Sequence, residues 1–205
     1  MIANAFIWYF YAFSYLSDII EISGLSKFVI VIYGINFLGI AISAILGASL
    51  INKFGRRMPF LLYWMLAGVI ISLMLAIGNF ATFTALALLS AVLGVYFGLG
   101  MPGCMGYFAA STETGKRARL GGITFFLIGL GSVLIGNMGS NNAMLTSLIL
   151  AAWRSVGLVL LIFLKPGKSQ IGKTAKISYG FVFSNKAFFL YLSLIHISEP
   201  TRLRR

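Results

Sequence analysis

Long uncharged stretches dominate the pattern of polar and apolar residues along the chain. No Asp, Glu, Lys or Arg occurs within residues 1–17, 28–52, 58–112, 120–153 or 155–164. A membrane-spanning helix needs about 20 apolar residues, so the longest stretch holds two helices and a turn at Gly78 and Asn79. The pattern therefore predicts six membrane-spanning helices, at residues 2–20, 28–51, 59–77, 82–109, 121–138 and 143–164.

Composition places this helical pattern in a lipid bilayer. Hydrophobic residues make up 60% of the 205 residues and charged residues 10%, whereas soluble domains carry roughly 25% charged residues. The net charge of +12 resembles that of a nucleic-acid binder, but the scarcity of charges over long stretches argues against one. A single cysteine, Cys104, excludes a disulfide framework and a multi-thiolate metal site. We expect an all-α integral membrane protein without a cofactor or metal.

The basic residues predict the orientation in the membrane, because positively charged loops stay in the cytoplasm. They follow the second, fourth and sixth predicted spans: Lys53, Arg56 and Arg57; Lys116, Arg117 and Arg119; Lys165, Lys168, Lys173 and Lys176. The loops on the opposite side carry only one basic residue, Lys27. We therefore expect a multi-pass protein of the plasma membrane whose amino terminus and loop after the sixth span are cytoplasmic.

The end of the chain has a different character. The run LSLIHISEPTR, from Leu192 to Arg202, resembles the in-frame translation of a transposase-type sequencing adapter. We therefore expect residues 192–205 to have no part in the function, although His196 in this run is a residue type that can carry protons. Residues 1–164 are then the six-span bundle. Residues 165–191 are a cytoplasmic central loop and the start of a seventh span.

The loop between the second and third spans carries a family motif. The run GASLINKFGRR, from Gly47 to Arg57, resembles the signature loop of the major facilitator superfamily, G-x-x-x-D-R/K-x-G-R-R/K. The matching residues are Lys53, Gly55, Arg56 and Arg57, whereas Ala48 and Asn52 replace the first Gly and the Asp. Positive-inside topology alone would explain the cations, but not Gly55 or the helix-capping Asn52.

A second resemblance follows the fourth span. Porters of the superfamily carry an acidic residue, a short gap, then Arg and Gly, and residues 113–121 read ETGKRARLG. We expect Glu113 to pair with one of the arginines at this end, which are Arg56, Arg57, Arg117 and Arg119. The alternative is a solvated surface pair that contributes about 0–1 kcal/mol. In the family, such loops gate the cytoplasmic side.

The resemblance implies the amino-terminal half of a twelve-helix transporter. Each half of that fold consists of two inverted three-helix repeats, and the substrate binds between the halves. The implied function is secondary active transport of a small polar solute, such as a sugar or organic acid, by alternating access with protons as the coupling ion. The remaining half of the same protein is then the chief partner. The alternative is a complete six-span channel or membrane-complex subunit, whereas an intramembrane protease is excluded because its Gly-x-Ser-Gly motif is absent.

Ionisable residues inside spans are the strongest candidates for a solute or proton pathway. Arg154 lies about halfway along the sixth span, where it either lines a polar cavity or extends towards one interface. Asp18 and Glu21 lie three residues apart, on one helical face, and either carry protons or form an outer-loop pair. Tyr96, deep in the fourth span, is a candidate for stacking on a ring-containing substrate.

Small residues spaced by four predict close contacts between helices. They are Gly39, Ser43 and Gly47 on the second span, Gly94 and Gly98 on the fourth, and Ser132 and Gly136 on the fifth. Static packing is the simplest interpretation, and it is compatible with sliding surfaces in a transporter.

Overall fold

Six α-helices account for nearly all of the chain that the computed structural model describes. It describes residues 1–54, 57–78, 80–137 and 142–163, with side chains throughout except at 52–57, 135–137 and 143. The helices are α1 (Ile2–Ile22), α2 (Val29–Phe54), α3 (Arg57–Ile77), α4 (Phe83–Ser111), α5 (Thr114–Asn137) and α6 (Ala143–Phe163). A 3₁₀ turn at Ser26–Phe28 precedes α2, and these ranges contain no strand. The predicted all-α architecture is confirmed.

Five of the helices in the described ranges are long and apolar enough to cross a membrane. They are the helices from α2 to α6. The first helix is as long as α3, with 21 residues, but Asn4, Asp18, two serines and three tyrosines lower its hydropathy. Its membrane crossing therefore stays a prediction. The structure is compatible with a multi-pass membrane protein.

Local signals in the sequence explain where several helices begin and end. Gly24 has φ +66°, and the N–H groups of Gly24 and Leu25 donate to the carbonyls of Glu21 and Ile20. This Schellman arrangement favours glycine and ends α1. The Thr82 hydroxyl caps α4 by accepting from Ala85 N at 3.3 Å. The side-chain Oδ1 of Asn142 caps α6 by accepting from the N–H groups of Met144 and Leu145 at 2.9 and 3.3 Å.

The start of α5 differs from its predicted position at residue 121. This helix begins at Thr114, before the basic cluster that was predicted to form a loop. The scarcity of charge marks where a helix can enter lipid, whereas Lys116, Arg117 and Arg119 are themselves good helix formers. The charged residues therefore extend the helix beyond its apolar part.

The helices pack in a pattern with α1 and α4 at the centre. Extensive contacts join α2 to α4, α3 to α6, and α1 to α4, α5 and α6, while α3 also packs on α4. The core is formed by apolar side chains of these contacts, including Trp8, Leu16, Leu61, Met65 and Leu93. In α5 most side chains are exposed, since it packs on α1 with a single face.

Small residues bring α2 and α4 into backbone contact. A Cβ atom added at Gly94 would collide with the backbone carbonyl of Asn36, and one at Gly47 would collide with the carbonyl of Leu99. Gly98 faces the Ser43 hydroxyl in the same interface. Close contacts are therefore present at the predicted small residues of α2 and α4, although the spacing does not predict that these two helices meet each other. On α5, the side chain of Ser132 lies partly buried, and position 136 lies among the undescribed side chains.

Substituting Gly94 by Ala should therefore destabilise the protein. The added methyl group pushes α2 away from α4, because its obstacle is backbone, and overpacking of this kind costs about 1–3 kcal/mol. The matched control is Gly129→Ala on α5, where a Cβ atom has open space and alanine favours the helix. Thermal unfolding of the detergent-solubilised protein, followed by circular dichroism, should show a loss only for Gly94→Ala. Equal effects of the two substitutions would contradict the close approach.

Candidate functional site

A buried arginine lies at the centre of the bundle. Arg154 is about halfway along α6, and its side chain is fully buried, with 0% exposure. Helices α1, α3 and α4 each place side chains against it. The guanidinium group therefore does not extend towards an interface in this structure.

Two neutral side chains accept hydrogen bonds from Arg154. Its Nε and Nη2 atoms donate to the Tyr96 hydroxyl at 2.9 and 2.6 Å, and Nη1 donates to Oδ1 of Asn4 at 2.8 Å. The Tyr96 hydroxyl in turn donates to the backbone carbonyl of Trp64 at 2.9 Å. Asn4 Nδ2 donates to the carbonyl of Trp153 at 2.7 Å, and Trp153 Nε1 donates back to the carbonyl of Asn4 at 3.0 Å.

Three aromatic rings surround the same guanidinium group. The Arg154 Cζ atom lies 4.2 Å from the ring centroid of Trp64, 5.5 Å from that of Tyr96 and 5.6 Å from that of Trp8. Rings at such distances attract a cation, most strongly where water is excluded. Trp64 is held in place by donating from Nε1 to the carbonyl of Tyr96 at 2.8 Å. We call Asn4, Trp8, Trp64, Tyr96 and Arg154 the Arg154 site.

The positive charge of the Arg154 site has no carboxylate beside it within the described ranges. Asp18, Glu21 and Glu113 are all exposed, and the ion pair formed among the described side chains joins Glu113 to Lys116. Arginine keeps its charge in proteins, and an isolated buried charge is costly. Among the described residues, neutral acceptors and aromatic rings alone stabilise this cation.

A second buried polar cluster joins α1, α2 and α4. Asn36 is fully buried; its Oδ1 accepts from the Tyr9 hydroxyl at 2.6 Å, and its Nδ2 donates to the carbonyl of Ser90 at 2.8 Å. The Ser90 hydroxyl donates to the carbonyl of Ile32 at 2.5 Å. These bonds satisfy every polar atom of the Asn36 amide that would be costly to bury alone.

The structure brings together two of the four predicted pathway residues. Tyr96 and Arg154 share direct hydrogen bonds, although they lie on different helices. Asp18 and Glu21 do not join them, because α1 reaches Arg154 through Asn4, near its other end. At 1.5 Å per residue, Asp18 lies about 20 Å further along α1 than Asn4. A proton pathway through Asp18 or Glu21 is thus separate from the Arg154 site.

The first of the two predicted gating loops falls largely outside the described part of the chain. Gly55 and Arg56 lie outside it altogether. Asn52 and Lys53 belong to the end of α2 and Arg57 begins α3, but their side chains are not described. Their role in gating stays a prediction.

The second predicted gating loop is the start of α5, where Glu113 pairs with Lys116; Arg56 and Arg57, two of its expected partners, lie outside the described side chains. Glu113 Oε2 lies 2.8 Å from Lys116 Nζ, and both side chains are exposed. Lys116 lies three positions after Glu113, a spacing at which side chains at a helix start can pair. Arg117 Nη2 donates instead to the carbonyls of Ala109 at 2.7 Å and Thr112 at 3.3 Å, where it caps the end of α4. Arg119 is exposed.

Sequence reasoning did not identify Asn4, Trp64, Asn36 and Ser90. An amide side chain inside a predicted span could have indicated two of them, because such a group needs a hydrogen-bond partner in lipid. Asn4 and Asn36 carry that signal. Trp64 and Ser90 carry none, because their importance depends on which helices meet.

The fold and these contacts define an all-helical protein compatible with several passes through a membrane. Comparisons with protein-family models, with curated proteins and with solved structures found no match to the chain.

Removing the Tyr96 hydroxyl should destabilise the bundle. Tyr96→Phe leaves two donors of Arg154 and the Trp64 carbonyl without this partner, and each unsatisfied buried group costs about 1–3 kcal/mol. Tyr63→Phe is the matched control on α3, because Tyr63 is 73% exposed. Thermal unfolding should show a large loss for Tyr96→Phe and almost none for Tyr63→Phe. A neutral Tyr96→Phe variant would show that the hydroxyl does not hold the guanidinium.

Proposed function

We propose that this chain is the amino-terminal six-helix half of a major facilitator transporter, which moves a small polar solute by alternating access. The main support is the symmetry of the helix contacts. If α1, α2 and α3 are exchanged with α4, α5 and α6 respectively, the contact of α2 with α4 becomes that of α5 with α1. The contact of α3 with α4 likewise becomes that of α6 with α1, and the α1–α4 and α3–α6 contacts map onto themselves.

This symmetry supports two three-helix units of opposite orientation. A unit with an odd number of membrane crossings leaves the next unit to enter from the other side. Inverted repeats of this kind are a common architecture of secondary transporters, whose sites lie near the midplane at the repeat interface. The Arg154 site takes α1 and α3 from one unit and α4 and α6 from the other, and Tyr96 and Arg154 lie about halfway along α4 and α6. Its position is the one this architecture favours for a functional polar group.

The charges at the helix ends support the proposed orientation. Lys116, Arg117 and Arg119 stand at the start of α5, and Arg117 contacts the end of α4. Under the positive-inside rule this end faces the cytoplasm, in the plasma membrane. The signature-like loop between α2 and α3 belongs to the same end, because α2 runs antiparallel to α1 in a serpentine of six crossings.

Proton coupling is proposed for the carboxylates at the opposite end. Asp18 and Glu21 are exposed on α1, three positions apart. Carboxylates that are accessible to water and close to an apolar bundle can exchange protons during transport. Because these carboxylates lie apart from Arg154, we assign proton exchange to Asp18 and Glu21, and solute binding or charge balance to the Arg154 site.

Transport by the full-length protein tests the proposal. In proteoliposomes, we expect saturable uptake of one member of a labelled panel of sugars and organic acids, driven by an inward proton gradient. Asp18→Asn together with Glu21→Gln should remove the dependence on the gradient, and Arg154→Gln should lower uptake at least tenfold. Glu113→Gln makes the same chemical change at the other end and should keep the proton dependence. Ion conductance without saturable solute uptake would instead favour a channel.

Thiol labelling tests the orientation separately. Cys104, the only cysteine of the chain, is fully buried and gives a low background. A membrane-impermeant maleimide added to intact cells should label Lys27→Cys between α1 and α2 but not Lys116→Cys at the start of α5. Permeabilised cells should show labelling of both variants. Labelling of Lys116→Cys in intact cells would reverse the proposed topology.

A further inference from the structure

A cavity of about 510 Å³ opens between α1, α5 and α6. Its wall is mostly aliphatic, with Leu127, Leu130 and Leu134 on α5 and Val156 and Leu160 on α6. Small-molecule sites in proteins commonly measure about 300–1,000 Å³ and combine an apolar wall with few polar groups. The cavity therefore has the size and lining of a site for a molecule with an apolar body.

One wall of this cavity is continuous with the Arg154 site. Asn4 and Trp153 line the cavity and are hydrogen-bonded to each other. The same Asn4 side chain accepts from Arg154 Nη1 at 2.8 Å. A ligand that contacts Asn4 is thus next to a side chain that is itself bonded to the guanidinium group.

The positive charge of Arg154 favours a ligand whose polar group is negatively charged. No carboxylate in the described ranges pairs with it, and in apolar surroundings a charge acts strongly over several ångströms. A small hydrated anion would lose its water in this apolar cavity at high cost. A negative group attached to an apolar chain matches both features, because the chain fills the cavity while its head approaches the cation.

We propose that this cavity binds an aliphatic monocarboxylate. Its chain lies against the leucines of α5, and its carboxylate lies at the Asn4 end. There the carboxylate takes the place of Asn4 as an acceptor of Arg154 Nη1, because a charge-assisted hydrogen bond is stronger than one to a neutral amide. If the proposed transport function holds, this ligand is the substrate class; the binding itself does not require transport.

The chain contains its own reporters of this binding. It has three tryptophans, Trp8, Trp64 and Trp153. Trp8 and Trp64 lie against the guanidinium, and Trp153 lines the cavity. A carboxylate that approaches Arg154 should therefore change tryptophan fluorescence.

The test is a fluorescence titration of the purified chain in nanodiscs of zwitterionic lipid. Decanoate should give a saturable change, whereas decanol and decylammonium, which have the same chain length, should bind at least tenfold more weakly. Equal responses to decanoate and decanol would overturn the anionic specificity, and a decanoate response that does not saturate would overturn the site. These comparisons use the unaltered chain, so they do not depend on the folding of a variant.

Variants then place the ligand within the structure. Arg154→Gln should abolish the preference for decanoate over decanol, and Arg154→Lys should preserve it. Leu130→Phe narrows the cavity and should weaken decanoate binding at least tenfold, whereas Val133→Phe, at an exposed position of the same helix outside the cavity, should not. Unchanged binding by Leu130→Phe would contradict this location.

This experiment separates the ligand proposal from the transport proposal. Decanoate binding without gradient-driven uptake of any solute by the full-length protein would support the site and refute the transporter. Uptake of a sugar without decanoate binding would support the transporter and refute the site.

Discussion

The burial of one guanidinium group constrains most of this bundle. Arg154 needs acceptors where water is absent, and these come from Tyr96 on α4 and Asn4 on α1, while α3 contributes the ring of Trp64. An unsatisfied donor on a charged group in such surroundings costs more than the roughly 1–3 kcal/mol of a neutral group. Any movement that separates α6 from α1 or α4 leaves such donors behind. The four helices are therefore positioned by one side chain.

The remaining helices illustrate why polar and small residues matter so much here. Between helices in lipid there is little hydrophobic gain from association, so close packing and hydrogen bonds determine which surfaces meet. The α2–α4 contact has both, in the glycines that admit the backbone and in the bonds of Asn36 to the Ser90 carbonyl and of the Ser90 hydroxyl to the Ile32 carbonyl. Helix α5 has neither in comparable measure and packs by one face on α1. Its exposed apolar side chains are suited to lipid or to further protein.

The sequence predicts the number and approximate bounds of the helices because long uncharged, apolar stretches are typical of membrane-spanning helices. It also singles out Arg154 and Tyr96, since each is polar at mid-depth in an apolar span. It does not predict their hydrogen bond, because that bond depends on how α4 and α6 are placed in the assembled bundle. For the same reason Trp64 has no signal as a cation partner. The pair of Glu113 with Lys116 is local, three positions apart at the start of α5. Periodicity specifies a helix, whereas pairing between helices is a property of the assembled bundle.

A centre fixed by Arg154 and an outer helix with few contacts imply how motion would be distributed in the proposed transporter. Because the Arg154 site draws on both three-helix units, these units should move as one body, and alternating access would take place against the other half of the protein. The cavity between α1, α5 and α6 lies where this rigid centre meets the sparsely packed α5. A ligand there would contact the fixed cation on one side and the most easily displaced helix on the other. Binding could then shift α5 without breaking the hydrogen bonds of Arg154 to Tyr96. Ligand binding would in this way be coupled to the movement of α5, the helix with few contacts.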